Sequence, residues 1–101
     1  MGGILDLSRR KIGLISKEIR NVCLDYYIDR IDREELKNQI KKIINMYQDC
    51  PGSIYQNVGM ALVKWGKERA MLTDEEVLVL ADEVDPRIRQ AVENWRDKML
   101  N

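Results

Sequence analysis

The segment from Leu36 to Leu80 restricts the folds open to this chain more than any other part of it. Apolar residues recur there at three- and four-residue spacing, which places them on one face of a helix. They are Leu36, Ile40, Ile43, Ile44 and Tyr47, then Ile54, Val58, Ala61, Leu62 and Trp65, and finally Val77, Leu80, Ala81 and Val84. Such faces must be buried against one another, so the segment predicts the helical core of the protein.

Start and stop signals divide this segment into separate helices. The Pro-Gly pair at residues 51–52 ends the first pattern. Thr73 and Glu76 predict a capping box, in which each side chain accepts a hydrogen bond from the other residue's backbone N–H. Asp32 and Glu35 predict a similar start for the helix that contains Leu36.

Two further helices flank the segment. Ser8 is the predicted N-cap of the first, and Asp85-Pro86 predicts the start of the last, either as a kinked continuation or as a separate helix. The predicted helices span residues of about 8–28, 33–48, 54–69, 74–84 and 86–100. The sequence thus predicts a single all-α domain over residues 1–101, in which short connections make consecutive helices antiparallel neighbours.

The composition argues against an enzyme. There is no histidine, which removes the commonest general base, the Ser-His and Cys-His nucleophile pairs and most transition-metal sites. The adjacent carboxylate pairs Glu34-Glu35 and Glu75-Glu76 point about 100° apart on a helix and lie in first turns, where acids complement the helix dipole. We therefore expect no catalytic residue, no cofactor, no metal ligand and no small-molecule substrate.

The cysteines and the hydropathy predict a cytoplasmic protein. Cys23 falls on an apolar stripe and Cys50 in a loop, which is not the pattern of a secreted disulfide scaffold. The first residues lack a signal-peptide core, and no run approaches the roughly 20 apolar residues of a membrane span. Five basic and two acidic residues give positions 1–20 a net charge of +3. That end is either a solvated helix face or a surface for anionic lipid or an acidic partner.

DNA binding is the weaker of the binding functions that the sequence allows. The seventeen basic residues are balanced by seventeen acidic ones, whereas DNA-binding domains usually have a basic excess. A helix-turn-helix formed by the second and third helices would need a link longer than the usual three to four residues. The following helix, residues 74–84, is acidic and would repel phosphates. We therefore expect a protein partner and no nucleic acid.

The order of these features resembles the class IIa (pediocin-like) bacteriocin immunity proteins of Gram-positive bacteria. The matching segments are Leu36 to Ile44, the Pro/Gly-containing break, Ile54 to Arg69, and Met71 to Glu76 leading into Leu80. The basic start Arg9-Arg10-Lys11 is also similar to some members. The resemblance implies an antiparallel four-helix bundle, here with an additional or kinked C-terminal helix.

The resemblance also implies a function. Members are non-catalytic cytosolic proteins that protect the producer cell from its own bacteriocin. They bind a membrane receptor, the mannose phosphotransferase permease, once the bacteriocin has engaged it, and so block the pore. The C-terminal part, here residues 85–101, largely decides which bacteriocin is recognised.

The predicted partner-binding residues follow from these considerations and lie in the last helix and the basic N-terminus. They are Arg87, Arg89, Trp95, Arg96, Lys98, Arg9, Arg10 and Lys11. The basic N-terminus is in addition the predicted point of peripheral membrane contact.

A second, weaker resemblance leads to an alternative. Tyr26-Tyr27, Glu34-Glu35-Leu36 and Gly66-Lys67-Glu68-Arg69 are also similar to a family of short, uncharacterised proteins from Firmicutes and their prophages. On this alternative the chain is a small phage or mobile-element protein that acts as a regulator or inhibitor through protein–protein contacts.

Overall fold

Five helices joined by short loops make up the computed structural model, which describes residues 3–100 and the side chains of residues 9–97. The helices are α1 Gly3–Tyr27, α2 Arg33–Met46, α3 Ile54–Glu68, α4 Asp74–Val84 and α5 Pro86–Leu100. No strand occurs between residues 3 and 100. The predicted all-α class is confirmed.

The two predicted capping boxes both lie at the starts of helices, but only the one at α4 is complete. The Thr73 hydroxyl accepts a hydrogen bond from the Glu76 backbone N–H, and the Glu76 carboxylate accepts one from the Thr73 N–H, both at 3.1 Å. Asp32 likewise accepts from the Glu35 N–H at 2.8 Å. The Glu35 carboxylate, however, accepts from the Gln39 side-chain amide at 2.7 Å. The capping box predicted for α2 is therefore only half formed.

The start of α1 contradicts one prediction, and the start of α5 decides whether the last helix is separate or a kinked continuation of α4. The predicted helix start at Ser8 is wrong, because α1 already begins at Gly3. Residues 4–7 contain isoleucine and two leucines and no proline, so they can extend the helix. Asp85 is a single extended residue (φ −166°, ψ 125°) after α4, and its carboxylate accepts from the Arg87 N–H at 2.9 Å. Thus α5 is a separate helix with Pro86 at its first position.

Helix α3 lies at the centre of the molecule and packs against the other four helices. Helix α1 runs parallel to it on one side. Lys11 of α1 pairs with Asp49, just before α3 begins, and Ser16 lies further along α1 beside Trp65 near the end of α3. In the described part of the chain α1 touches neither α4 nor α5.

Helix α5 runs parallel to α3 on its other side. The Arg87 side chain at the start of α5 lies over the ring of Tyr55 at the start of α3. Helix α4 is antiparallel to α5, since Asp82 near its end pairs with Arg89 near the start of α5 at 3.6 Å. The smallest dimension of the molecule, 21 Å, is about two helix diameters. Helices α1, α3 and α5 therefore form one layer, and α2 and α4 form the other.

This arrangement does not confirm the expected antiparallel four-helix bundle. In such a bundle with short loops, neighbouring helices are antiparallel and the first and fourth helices close the ring. Here α1 and α3 are parallel neighbours, and no contact joins α1 to α4 among the described residues.

The hydrophobic core contains residues from all five helices. Those at most 1% exposed and largest in volume include Ile15, Ile19, Leu36, Ile40, Leu62, Leu80 and Ile88. Each such side chain replaced by alanine would cost about 2–5 kcal/mol of stability. Cys23 is fully buried, as predicted, and the loss of solvation raises the pKa of its thiol to about 12.

Two glycines let α3 lie close to its neighbours. A Cβ atom on Gly59 would be 3.3 Å from a methyl group of Val92 in α5, and one on Gly66 would be 3.2 Å from a methyl group of Val77 in α4. These distances are shorter than ordinary carbon–carbon contacts. The two glycines therefore set how closely α4 and α5 approach α3.

Candidate partner-binding site

Arg87 and Arg89, predicted to bind a partner, are engaged by other groups of the protein. Arg87 donates to the Asp85 carboxylate at 2.8 Å, and its guanidinium lies 4.1 Å from the centroid of the Tyr55 ring. The Arg87 hydrogen bond lowers the pKa of Asp85. Arg89 donates to Glu93 at 2.9 Å. Both arginines are exposed, but their charges are largely compensated.

The predicted N-terminal residues lie apart from α5. Arg9 and Arg10 are exposed on α1. Lys11 is half-buried and pairs with Asp49, and this hydrogen bond lowers the pKa of the Asp49 carboxyl. Lys98 lies outside the part of the chain whose side chains are described. Because α1 and α5 flank α3 on opposite sides, the structure does not bring the two predicted sets into one site.

The remaining two predicted residues, Trp95 and Arg96, line a groove where α3, α4 and α5 meet. Its volume is about 340 Å³, within the range typical of binding pockets. Its apolar lining consists of Val63, Val77, Leu78, Val92 and Trp95, and its charged lining of Lys67, Asp74 and Arg96. We call this the Trp95 groove.

The groove continues onto the outer face of α3. A second depression of about 410 Å³ shares Val63, Lys67 and Trp95 with the groove and adds Met60 and Lys64, together with Glu68. Met60 is 50% exposed. Half-exposed tryptophan and methionine side chains beside cations are the residue types that anchor protein interfaces. The continuous surface is therefore suited to receive an apolar side chain of a partner.

The helical repeat of α5 explains the position of Trp95. Ile88 and Val92 face the core and are 0% and 4% exposed. Trp95 follows Val92 by three residues, so it lies at the border of the buried stripe. The same helix thus contributes to the core with one face and to the groove with its edge.

An ion pair crosses the rim of the Trp95 groove. The Lys67 ammonium group lies 2.9 Å from the Asp74 carboxylate and joins α3 to α4. This hydrogen bond, together with the charges of Lys67 and Arg96, lowers the pKa of Asp74. Lys67 and Asp74 therefore compensate each other at neutral pH, which leaves the positive charge of Arg96 in the lining of the groove.

The sequence did not reveal a second tryptophan site, on the α1 side of α3. The Trp65 indole N–H donates to the Ser16 hydroxyl at 2.9 Å. Three cations lie over the ring, with Lys64 at 4.7 Å, Arg69 at 5.3 Å and Arg20 at 5.7 Å from its centroid. We call these four side chains, Trp65, Arg20, Lys64 and Arg69, the Trp65 cluster. Lys64 and Arg69 are near Trp65 in sequence, but Arg20 comes from another helix and no local pattern indicates it.

Neither tryptophan site includes a group of metal-ligating side chains among the described residues. Among the described residues, no group of three or more cysteine or carboxylate side chains is placed to hold a metal ion. No helix in the described range combines the length and the apolar character needed to cross a membrane. Comparison of the chain with protein-family models, with curated proteins and with solved structures found no significant match.

Proposed function

We propose that this protein is a non-catalytic immunity protein of the class IIa bacteriocin type, which protects its producer by binding and blocking the bacteriocin-engaged membrane receptor. The observation that carries the proposal is the Trp95 groove. It is an open, mostly apolar groove, and α5 contributes its tryptophan and an arginine. In the family that the sequence resembles, the corresponding C-terminal region decides which bacteriocin is recognised.

The composition of the groove supports a protein partner. Tryptophan and arginine are enriched among the residues that dominate binding energies at interfaces. The apolar lining of Val63, Val77, Leu78 and Val92 would surround a partner's aliphatic or aromatic side chain and exclude water from it. The proposal does not depend on the antiparallel four-helix arrangement of that family, because α3, α4 and α5 alone form the groove.

Point variants are the appropriate test, because α5 also contributes to the core. Deletion of residues 86–101 would remove Ile88 and Val92 and so destabilise the fold. Trp95→Ala removes the groove's aromatic residue. Asn94→Ala is the matched control, since Asn94 is exposed on α5 outside the lining of the Trp95 groove.

The experiment is expression in a strain sensitive to pediocin-like bacteriocins. We expect the unmodified chain to raise the bacteriocin concentration needed for killing. Trp95→Ala should weaken receptor binding by about 30-fold, as expected for an interface anchor worth about 2 kcal/mol, and Asn94→Ala should have no effect. Lack of protection by the unmodified chain against a panel of these bacteriocins would contradict the proposal.

A cross-linked pull-down from a bacteriocin-treated Gram-positive host separates this function from the alternative. Recovery of the permease with the bacteriocin would support immunity. Recovery of a single soluble partner, lost in Trp95→Ala, would instead indicate a phage or mobile-element regulator. Cell fractionation of the same host would test the cytoplasmic location that belongs to the proposal.

A further inference from the structure

The outer edge of α1 has an arrangement of charge and apolar side chains that the Trp95 groove does not explain. At 3.6 residues per turn, four cations fall within an arc of about 100° away from the core. They are Arg9, Arg10, Lys17 and Arg20. Between residues 9 and 28, the same arc contains no acidic residue.

Exposed apolar side chains continue this arc beyond Arg20. Leu24, Tyr27 and Ile28 are 42%, 54% and 48% exposed. Ile28 follows the last residue of α1 but keeps the helical turn, because its N–H donates to the Leu24 carbonyl at 3.0 Å. We call the seven side chains from Arg9 to Ile28 on this arc the α1 edge.

The α1 edge is continuous with the Trp65 cluster, because Arg20 belongs to both. Within the described side chains, Arg20, Lys64 and Arg69 form no ion pair with a carboxylate. By contrast, Lys67 on the same helix as Lys64 is paired with Asp74. Three positive charges held within 6 Å of one indole ring centroid repel one another unless an anion lies between them.

We propose that the α1 edge and the Trp65 cluster together dock on the surface of an anionic membrane. Arg20, Lys64 and Arg69 bind lipid phosphate groups, and Leu24, Tyr27 and Ile28 enter the boundary between headgroups and acyl chains. Half-buried tryptophan and tyrosine are the aromatic residues that prefer this boundary. A helix with a cationic stripe and adjoining apolar side chains lies along the surface and does not cross the membrane.

The apolar part of the edge favours a membrane over the other polyanions. A nucleic acid or a free phosphate ion would engage the cations and leave Leu24 and Ile28 in water. A bilayer satisfies both the charges and the apolar side chains. The surface shares Lys64 with the depression beside the Trp95 groove but contains none of the groove's own lining residues. The inference therefore goes beyond the proposed function, and either can fail without the other.

Vesicle sedimentation with the full chain at low salt is the test. We expect binding to vesicles of equal parts phosphatidylglycerol and phosphatidylcholine, weakening as salt rises, and no binding to phosphatidylcholine alone. Failure to bind the anionic vesicles at low salt would overturn the proposal. So would tighter binding to a short DNA duplex in the same buffer, or displacement by millimolar inorganic phosphate but not by chloride of equal ionic strength.

Matched charge variants locate the surface. Arg20→Gln with Lys64→Gln removes two charges from the Trp65 cluster, and should weaken vesicle partitioning by about 30-fold, or roughly fivefold for each basic residue. Lys41→Gln with Lys42→Gln removes two exposed charges from α2 and should weaken vesicle partitioning much less. An equal loss in both pairs would mean that only net charge matters, which would overturn the assignment.

Matched apolar variants and fluorescence provide independent measurements. Leu24→Ser with Tyr27→Ser should release the protein from anionic vesicles. Met46→Ser with Val79→Ser, which changes side chains 59% and 51% exposed elsewhere, should not. In Trp95→Phe, which keeps Trp65, emission should shift to shorter wavelength when anionic vesicles are added. A shift seen only in Trp65→Phe would place the contact at the wrong tryptophan and overturn the proposal.

Discussion

The two tryptophans of this protein lie on opposite flanks of α3 and have different surroundings. Trp65 packs against the core, donates its N–H to Ser16 and lies beneath three cations. These cations have no acidic partner among the side chains of residues 9–97. Trp95 borders an open apolar groove whose charged rim is joined by the Lys67–Asp74 ion pair. Both side chains are half-buried, so burial alone does not distinguish them.

The contacts around the two tryptophans favour different roles for the same residue type. On the α1 side of α3, the indole is held in place and no described carboxylate compensates the three cations, which favours attraction of an extended anionic surface. On the α5 side, the Lys67 charge is compensated by Asp74 and apolar space is open, which favours insertion of a partner's side chain.

Trp65→Ala should destabilise the protein more than Trp95→Ala. Replacing a buried tryptophan by alanine costs about 3–5 kcal/mol, so we expect about 3 kcal/mol for the partly buried Trp65, which packs on the core. For Trp95, which lines an open groove, we expect about 1 kcal/mol. Urea unfolding followed by circular dichroism measures both free energies without relying on tryptophan emission. Equal losses would remove the structural distinction between the two sites.

Gly13 in α1 and Gly59 on the α5-facing side of α3 should respond in opposite directions to alanine. A Cβ atom at Gly13 on α1 would meet no described atom within 4 Å, so Gly13→Ala should stabilise the protein by about 0.5–1 kcal/mol. Gly59→Ala would push against Val92, and we expect a net loss of about 1 kcal/mol after the gain in helix propensity. Thermal unfolding should show melting temperatures changed by several degrees in opposite directions. An increase in both variants would mean that α5 can move away from α3 at little cost.

Ser16→Ala should affect only the Trp65 side. The Ser16 hydroxyl accepts the Trp65 indole hydrogen bond, so its loss should cost about 0.5–1.5 kcal/mol. In a Trp65→Phe background the same substitution should cost almost nothing, because phenylalanine has no N–H to donate. A double-mutant cycle of urea unfolding measures this coupling. Absence of coupling would show that the hydrogen bond does not hold the ring.

As the pH falls, the structure around Trp95 should loosen before the structure around Trp65. The Thr73 backbone N–H lowers the pKa of Glu76, and Lys67 lowers the pKa of Asp74. A carboxyl whose pKa is lower in the folded state stabilises the protein above its unfolded pKa, and this contribution is lost as pH falls through the folded pKa. The ordinary values are 4.5 and 3.8, so the loss begins near pH 4.5 and continues below it.

Variants that keep a single tryptophan allow the effect of acid on each site to be followed by fluorescence. In Trp65→Phe, emission from Trp95 should change below pH 4.5, as the first turn of α4 loosens at the groove. In Trp95→Phe, emission from Trp65 should stay constant until global unfolding, since its cluster contains only cations and a hydroxyl. Asp74→Asn should reduce the acid response of Trp95. Simultaneous responses in both variants would indicate global unfolding alone.

Part of the candidate sites could be predicted from the sequence. The helical spacing from Ile88 to Trp95 and the resemblance together predicted that the last helix binds a partner. The structure locates Trp95 and Arg96 of this helix at a groove. Arg87 and Arg89, predicted with them, are compensated by their own neighbours. The Trp65 cluster could not be predicted, because Arg20 and Trp65 meet only through the packing of α1 on α3.

Local chemistry was sufficient for the helices themselves. Helical periodicity and caps such as Thr73 and Asp85 act within about four residues, so the sequence shows most helix ends and buried faces directly. Which helices pack against each other depends on which of their surfaces fit at close range. Gly59 and Gly66 let α5 and α4 approach α3, and the charge of Lys11 is matched by Asp49 across the fold. The segment from Leu36 to Leu80 therefore specifies its helices locally, whereas the parallel layer and the two tryptophan sites arise from packing between residues distant in sequence.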